Sequence, residues 1–107
     1  MSTAAIADHA TARELWSSFV SLVRSYTAAH GLNGTRQAVL EVSDGLLLVR
    51  AGERLLTVEF DGARGSFARE TGPATAFTLD EQGRLVVAGA AEEMDMVAER
   101  LAREIMR

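Results

Sequence analysis

The stretch EVSDGLLLVRAGERLLTVEFDG, residues 41–62, decides how this chain folds. Two Gly-containing pairs, Asp44-Gly45 and Gly52-Glu53, separate runs of apolar and β-branched residues, and Asp-Gly between such runs is a strong hairpin signal. The punctuation predicts strands over 36–42, 46–51 and 54–61. In the third run Leu56, Val58 and Phe60 alternate with Leu55, Thr57 and Glu59, so one face is apolar and the other mixed. The apolar face is expected to meet helices.

Toward the N-terminus the period changes. Leu15, Trp16, Phe19, Leu22, Val23 and Tyr26 fall on one side of a helix. Thr11 with Glu14 fits a capping box, while Asp8 or Thr3 would start the helix earlier, with the Ala-rich residues 4–12 propagating it. At the other end Gly31 suits a left-handed C′ position with Leu32 as its apolar contact, and Asn33 and Gly34 turn the chain.

Beyond Asp61 and Gly62, residues 66–71 read either as a fourth strand presenting Phe67 or as one helical turn, closed by Gly72 and Pro73. A last hairpin over 74–79 and 84–88 puts Phe77, Leu79, Leu85 and Val87 in the core. From Ala90 the spacing of Met94, Val97, Ala98, Leu101 and Ile105 predicts a second helix, with Glu92, Glu93 and Asp95 in its first turns and Arg100, Arg103 and Arg107 in its last. The expected architecture is one α+β domain over 1–107: an N-terminal helix, an antiparallel meander of five to six strands and a C-terminal helix, both helices on one face of the sheet.

Composition narrows the chemistry. A chain of 107 residues, 48% hydrophobic, matches one core. Without Cys, thiolate catalysis, sulfur-bound zinc and iron–sulfur ligation are excluded. All the basic residues are Arg, which removes Schiff-base lysines and a Walker-type phosphate lysine. The net charge of −4 arises beyond residue 50 and disfavours phosphate-backbone binding, so no nucleic-acid partner is expected. The first residues lack a signal-peptide pattern and every apolar run is shorter than a bilayer span, so no membrane partner and a cytoplasmic location are expected.

Several groups of residues bear on chemistry. Trp16 and Tyr26 lie close to one helical face and would line a small-molecule pocket against the sheet, or pack in the core. His9 and His30 are too far apart on one helix to share a metal. Asp80 with Glu81, and Glu92, Glu93 with Asp95, lack calcium-loop spacing, and the loop 61–65 has two glycines and Arg64 but no phosphate fingerprint. The serines have no G-x-S-x-G elbow. The reading is therefore a non-enzymatic protein with no cofactor and no metal site.

The second face of the sheet stands out. Alternation assigns to it Leu55, Thr57, Glu59, Ala68, Ala76, Thr78 and Val86, a mixed surface of small and apolar residues suited to association with a second copy or another protein. An acidic interaction or adaptor module is the expected function, with small-molecule binding at Trp16 and Tyr26 as the alternative.

The order helix, meander, helix resembles the frataxin arrangement, and Ala12, Leu15 and Trp16 are similar to its A-x-x-L-W style residues. The resemblance implies iron handling by an acidic ridge on the first helix and strand, where this chain carries Asp8, Glu14 and Glu41. With residues 66–71 helical, the order instead resembles the small acidic chaperones of type III secretion, which implies a dimer holding partly unfolded effectors.

Overall fold

The structure, a computed structural model, describes residues 7–32, 37–62 and 64–107. Helix α1 spans His9–Leu32. The Asp8 carboxylate accepts a hydrogen bond from the Thr11 backbone N–H at 2.8 Å, so Asp8 caps the helix and Thr11 lies inside it. The alternative start at Thr3 lies outside the described residues. Gly31 is not a left-handed C′ residue. It stays within α1, and Leu32 is 85% exposed. The turn expected at Asn33 and Gly34, Arg36 and loop residue Ala63 also lie outside the described residues, and the first strand begins at Val39, Gln37 and Ala38 lying before it instead of within it.

Seven strands follow in meander order: β1 Val39–Ser43, β2 Leu46–Ala51, β3 Arg54–Phe60, β4 Arg64–Arg69, β5 Thr75–Leu79, β6 Arg84–Val87 and β7 Ala90–Glu93. Helix α2, Met94–Ile105, closes the fold. Residues 66–69 are strand, which removes the helical alternative and with it the element order on which the secretion-chaperone resemblance rested. The single helix–meander–helix order is retained.

The sheet has one strand more than expected, because Ala90–Glu93 forms β7 and α2 begins only at Met94. Ala88 and Gly89 both have positive φ, 51° and 83°, the backbone of a two-residue type I′ turn that returns the chain into the antiparallel ladder. Leu85 is then opposite Glu92, and Val87 opposite Ala90. Ala and Glu favour helix, but propensity is a weak preference that ladder hydrogen bonds override. Glu92 therefore lies in a strand, and Glu93 occupies the N-cap position of α2 without a side-chain cap.

Both helices cover one face. Alternation turns Leu47, Val49 and Ala51 of β2, Leu56, Val58 and Phe60 of β3, Phe67 of β4, Phe77 and Leu79 of β5 and Leu85 of β6 toward them, and all are buried. Trp16 of α1 stacks on Phe60 with ring centroids 5.5 Å apart, Phe60 on Phe77 at 6.3 Å, and Phe67 lies tilted against Phe77 at 6.0 Å. Gly65 makes this aromatic row possible, because a Cβ there would come within 2.3 Å of the Phe77 ring. The helices also pack on each other. Tyr26 donates its hydroxyl hydrogen bond to Asp95 at 2.7 Å, and His30 lies 3.3 Å from Glu99. At its far end α2 is tied to the sheet by Arg54, which donates to the Glu104 carbonyl, and by the Arg69–Glu104 ion pair.

Candidate functional site

The outer face, opposite the helices, is built by register. Leu48 of β2 is opposite Thr57 of β3, and Thr57 is opposite Ala68 of β4. One step along, Leu46, Glu59, Ser66 and Ala76 form the next row across four strands. Arg64, Thr78, Val86 and Ala91 form a third across β4 to β7. Leu55 is opposite Arg50. The seven residues assigned to this face by alternation, Leu55, Thr57, Glu59, Ala68, Ala76, Thr78 and Val86, all lie on it, and none is buried.

Leu46 and Leu48 belong to the same face, a placement that the sequence pattern does not show. The run Leu46-Leu47-Leu48-Val49 is apolar on both sides, so alternation alone does not orient it. The signal lies in the two-residue turn: with Asp44 and Gly45 at its tip, Ser43 pairs with Leu46, and every side chain of β2 is then placed. Leu46, Leu48, Leu55, Thr57, Ala68, Thr78 and Val86 are all half-buried, shielded by one another rather than by a covering element. Charge enters at Arg50, at Glu59 and Arg64, and toward the two edge strands at Glu41, opposite Leu48, and at the Arg84–Glu93 pair.

The helix face holds the other candidates. Trp16 and Tyr26 are sent to different neighbours, Trp16 to Phe60 and Tyr26 to Asp95 on α2. The Tyr26 hydroxyl is pushed above its ordinary pKa, first by the hydrogen bond to Asp95, then by burial and by the charges of Asp95 and Glu99. Trp16 lines a recess of about 680 Å³ with Arg13, Val20, Val42, Phe60 and Asp61. His9 and His30 stand 21 residues apart on α1, about 30 Å at 1.5 Å per residue. Among the described residues no group of three or more His, Asp or Glu side chains converges as a metal site would require, so Asp8, Glu14 and Glu41 form no ridge of that kind.

The acidic residues have structural partners. Asp80, 3% exposed, accepts hydrogen bonds from the Gln82 and Arg84 backbone N–H groups and from the Arg84 guanidinium, each at 2.9 Å. Burial alone would raise its pKa and is the largest single influence, yet the Arg84 and Gln82 hydrogen bonds and the Arg84 charge together hold it below the usual aspartate value. These bonds shape the β5–β6 turn. Glu92 is likewise held low by its hydrogen bond from Arg100, a contact between β7 and α2. In the 61–65 loop, Asp61 accepts from the Arg64 N–H at 2.8 Å, which is turn chemistry.

No protein-family model, curated protein or solved structure matches the chain. Among the described residues no helix is long and apolar enough to cross a membrane.

Proposed function

We propose that this chain is a non-enzymatic association module whose copies stack through the outer faces of their sheets. The observation that supports the reading is the placement of both helices on one side, so that among the described residues no element covers the face carrying Leu46, Leu48, Leu55, Thr57, Ala68 and Val86. Seven strands about 4.8 Å apart and four to seven residues long give a face of roughly 500 Å² in plan, so two stacked faces reach about the 1,000 Å² that a specific interface needs. Stacked sheets keep their strands within about 30° of each other and interdigitate small and large side chains, which suits the row Leu48, Thr57, Ala68.

Light scattering at micromolar concentration tests the reading. The wild type is expected to exceed one chain mass of 11.5 kDa, and Thr57→Arg, which puts a charge between Leu48 and Ala68, is expected to lower that mass. A wild type that runs as a single chain refutes stacking. The recess beside Trp16 favours a second reading, binding of a small molecule, since its volume of about 680 Å³ lies in the range of ligand pockets. Fluorescence of this single tryptophan, screened against a library of small organic acids and amines, reports on that reading; an unresponsive spectrum removes it for those classes.

A further inference from the structure

We infer that two copies of the chain also pair edge to edge through β1, a contact separate from the stacking of outer faces. Strand β1 borders the sheet, and its free side is set by the hairpin next to it. Ser43 and Leu46 close the two-residue turn, and a closing pair exchanges both of its N–H···O bonds. The pattern then alternates, so Val39, Glu41 and Ser43 bond to β2, while Leu40 and Val42 turn their backbone N–H and C=O groups to the open edge. The neighbouring hairpin obeys the same parity: Ala51 and Arg54 close it, which commits Leu47, Val49 and Ala51 to β3 and leaves the even residues for β1.

Natural edge strands are protected by Pro, by Lys, by bulges or by charges pointing inward. β1 has none of these. The sole Pro is Pro73, Lys is absent, the register with β2 is unbroken, and Glu41 is its one charged residue, on the outer face. Val39 is 62% exposed and Val42 44% exposed, on opposite faces of the same free edge.

Charge selects a second copy as the occupant. Near the start of β1 lie two exposed arginines, Arg24 of α1 beside Ala38 and Leu40, and Arg50 opposite Val39. Near its end lie three carboxylates, Asp44, Asp61 and Glu59, against two cations, Arg13 and Arg64, so this end is net acidic. Two antiparallel β1 strands related by a twofold axis bring the basic end of each copy beside the acidic end of the other, twice. The register with Leu40 opposite Leu40 of the second copy also sets Glu41 across from Val39, which avoids two carboxylates face to face.

Edge pairing and face stacking use different surfaces, so copies joined by both close at four chains and copies joined by one close at two. The expected wild-type mass is four chains. Val42→Pro removes an outward N–H and leaves the bonds of β1 to β2 intact, so it is expected to halve that mass, and Val42→Lys at the same exposed position gives the same answer if the Pro variant fails to fold. Because the chain has no Cys, the double variant Val39→Cys with Glu41→Cys, treated with oxidised glutathione, should form a covalent dimer, since the proposed register makes these a non-hydrogen-bonded pair with Cα atoms about 4.5 Å apart. A wild-type dimer that Val42→Pro dissociates and Thr57→Arg does not supports the edge and removes the face. A wild type of one chain mass, an unchanged mass in both Val42 variants, or no covalent dimer from the oxidised double-cysteine variant overturns the edge contact.

Discussion

Gly65 is where the packing of the sheet against its helices leaves no room, and Gly65→Ala measures that. The added Cβ would meet Phe77 Cζ at 2.3 Å, Phe77 Cε2 at 2.6 Å and the Glu59 carbonyl oxygen at 2.7 Å. Relief requires one of them to move. The carbonyl belongs to the β3–β4 ladder, in which Gly65 pairs with Phe60. The Phe77 ring is buried between Phe60 and Phe67, so it has no free volume to enter. Overpacking of this kind costs about 1–3 kcal/mol, and replacing a strand glycine by alanine returns roughly 0.5–1 kcal/mol of backbone entropy. With two rigid obstacles the cost falls near its upper end, and a net loss of about 2 kcal/mol is expected. In a domain of this size each kcal/mol lowers Tm by about 4–5 °C, so the variant should melt roughly 8–10 °C below the wild type when followed by far-UV circular dichroism. Phe77→Leu removes ring atoms from the crowded site and should therefore cost less in the Gly65→Ala background than alone. A Gly65→Ala variant melting within about 2 °C of the wild type, or two substitutions whose effects simply add, would refute the close approach.

Two further outcomes rest on the turns. Ala88 holds φ at 51°, a left-handed conformation that a Cβ disfavours by about 1–2 kcal/mol, so Ala88→Gly should raise stability by roughly 0.5–1 kcal/mol after the added freedom of the unfolded chain; an equal or lower Tm would count against the type I′ turn. Asp80 has its carboxyl held low in the folded state, so its contribution is full above the ordinary aspartate pKa of about 3.9 and is lost as pH falls through the folded value. Asp80→Asn should thus be less stable than the wild type near neutral pH and lose less on acidification below about pH 4, and parallel acid limbs in the two proteins would contradict the assignment.

Much of the fold is legible in local signals. The helical spacing from Leu15 to Tyr26 and from Met94 to Ile105, the Asp44-Gly45 turn and the alternation of Leu55 to Phe60 each depend on neighbours within a few residues, and each appears as expected. The seven outer-face residues follow from that alternation. Strand β7 did not, because Ala90, Ala91, Glu92 and Glu93 carry a helical preference and only the pairing with β6 makes them a strand. The end of α1 departs from the sequence expectation for a related reason: glycine permits a left-handed cap without compelling one, and Gly31 remains helical.

What the chain's own order of residues determined is the alternation of periods, two helices flanking a run of strands with one apolar side, since that pattern is set by which residues must leave water. Tertiary structure alone decided which way each ambiguous segment faces. Leu46 and Leu48 are turned outward by the register that the β1–β2 hairpin imposes, and Trp16 and Tyr26 are drawn apart, one to the aromatic row and one to α2. The reason is physical: hydrophobicity says that a side chain should be buried, but only hydrogen-bonded register and helix packing say against what.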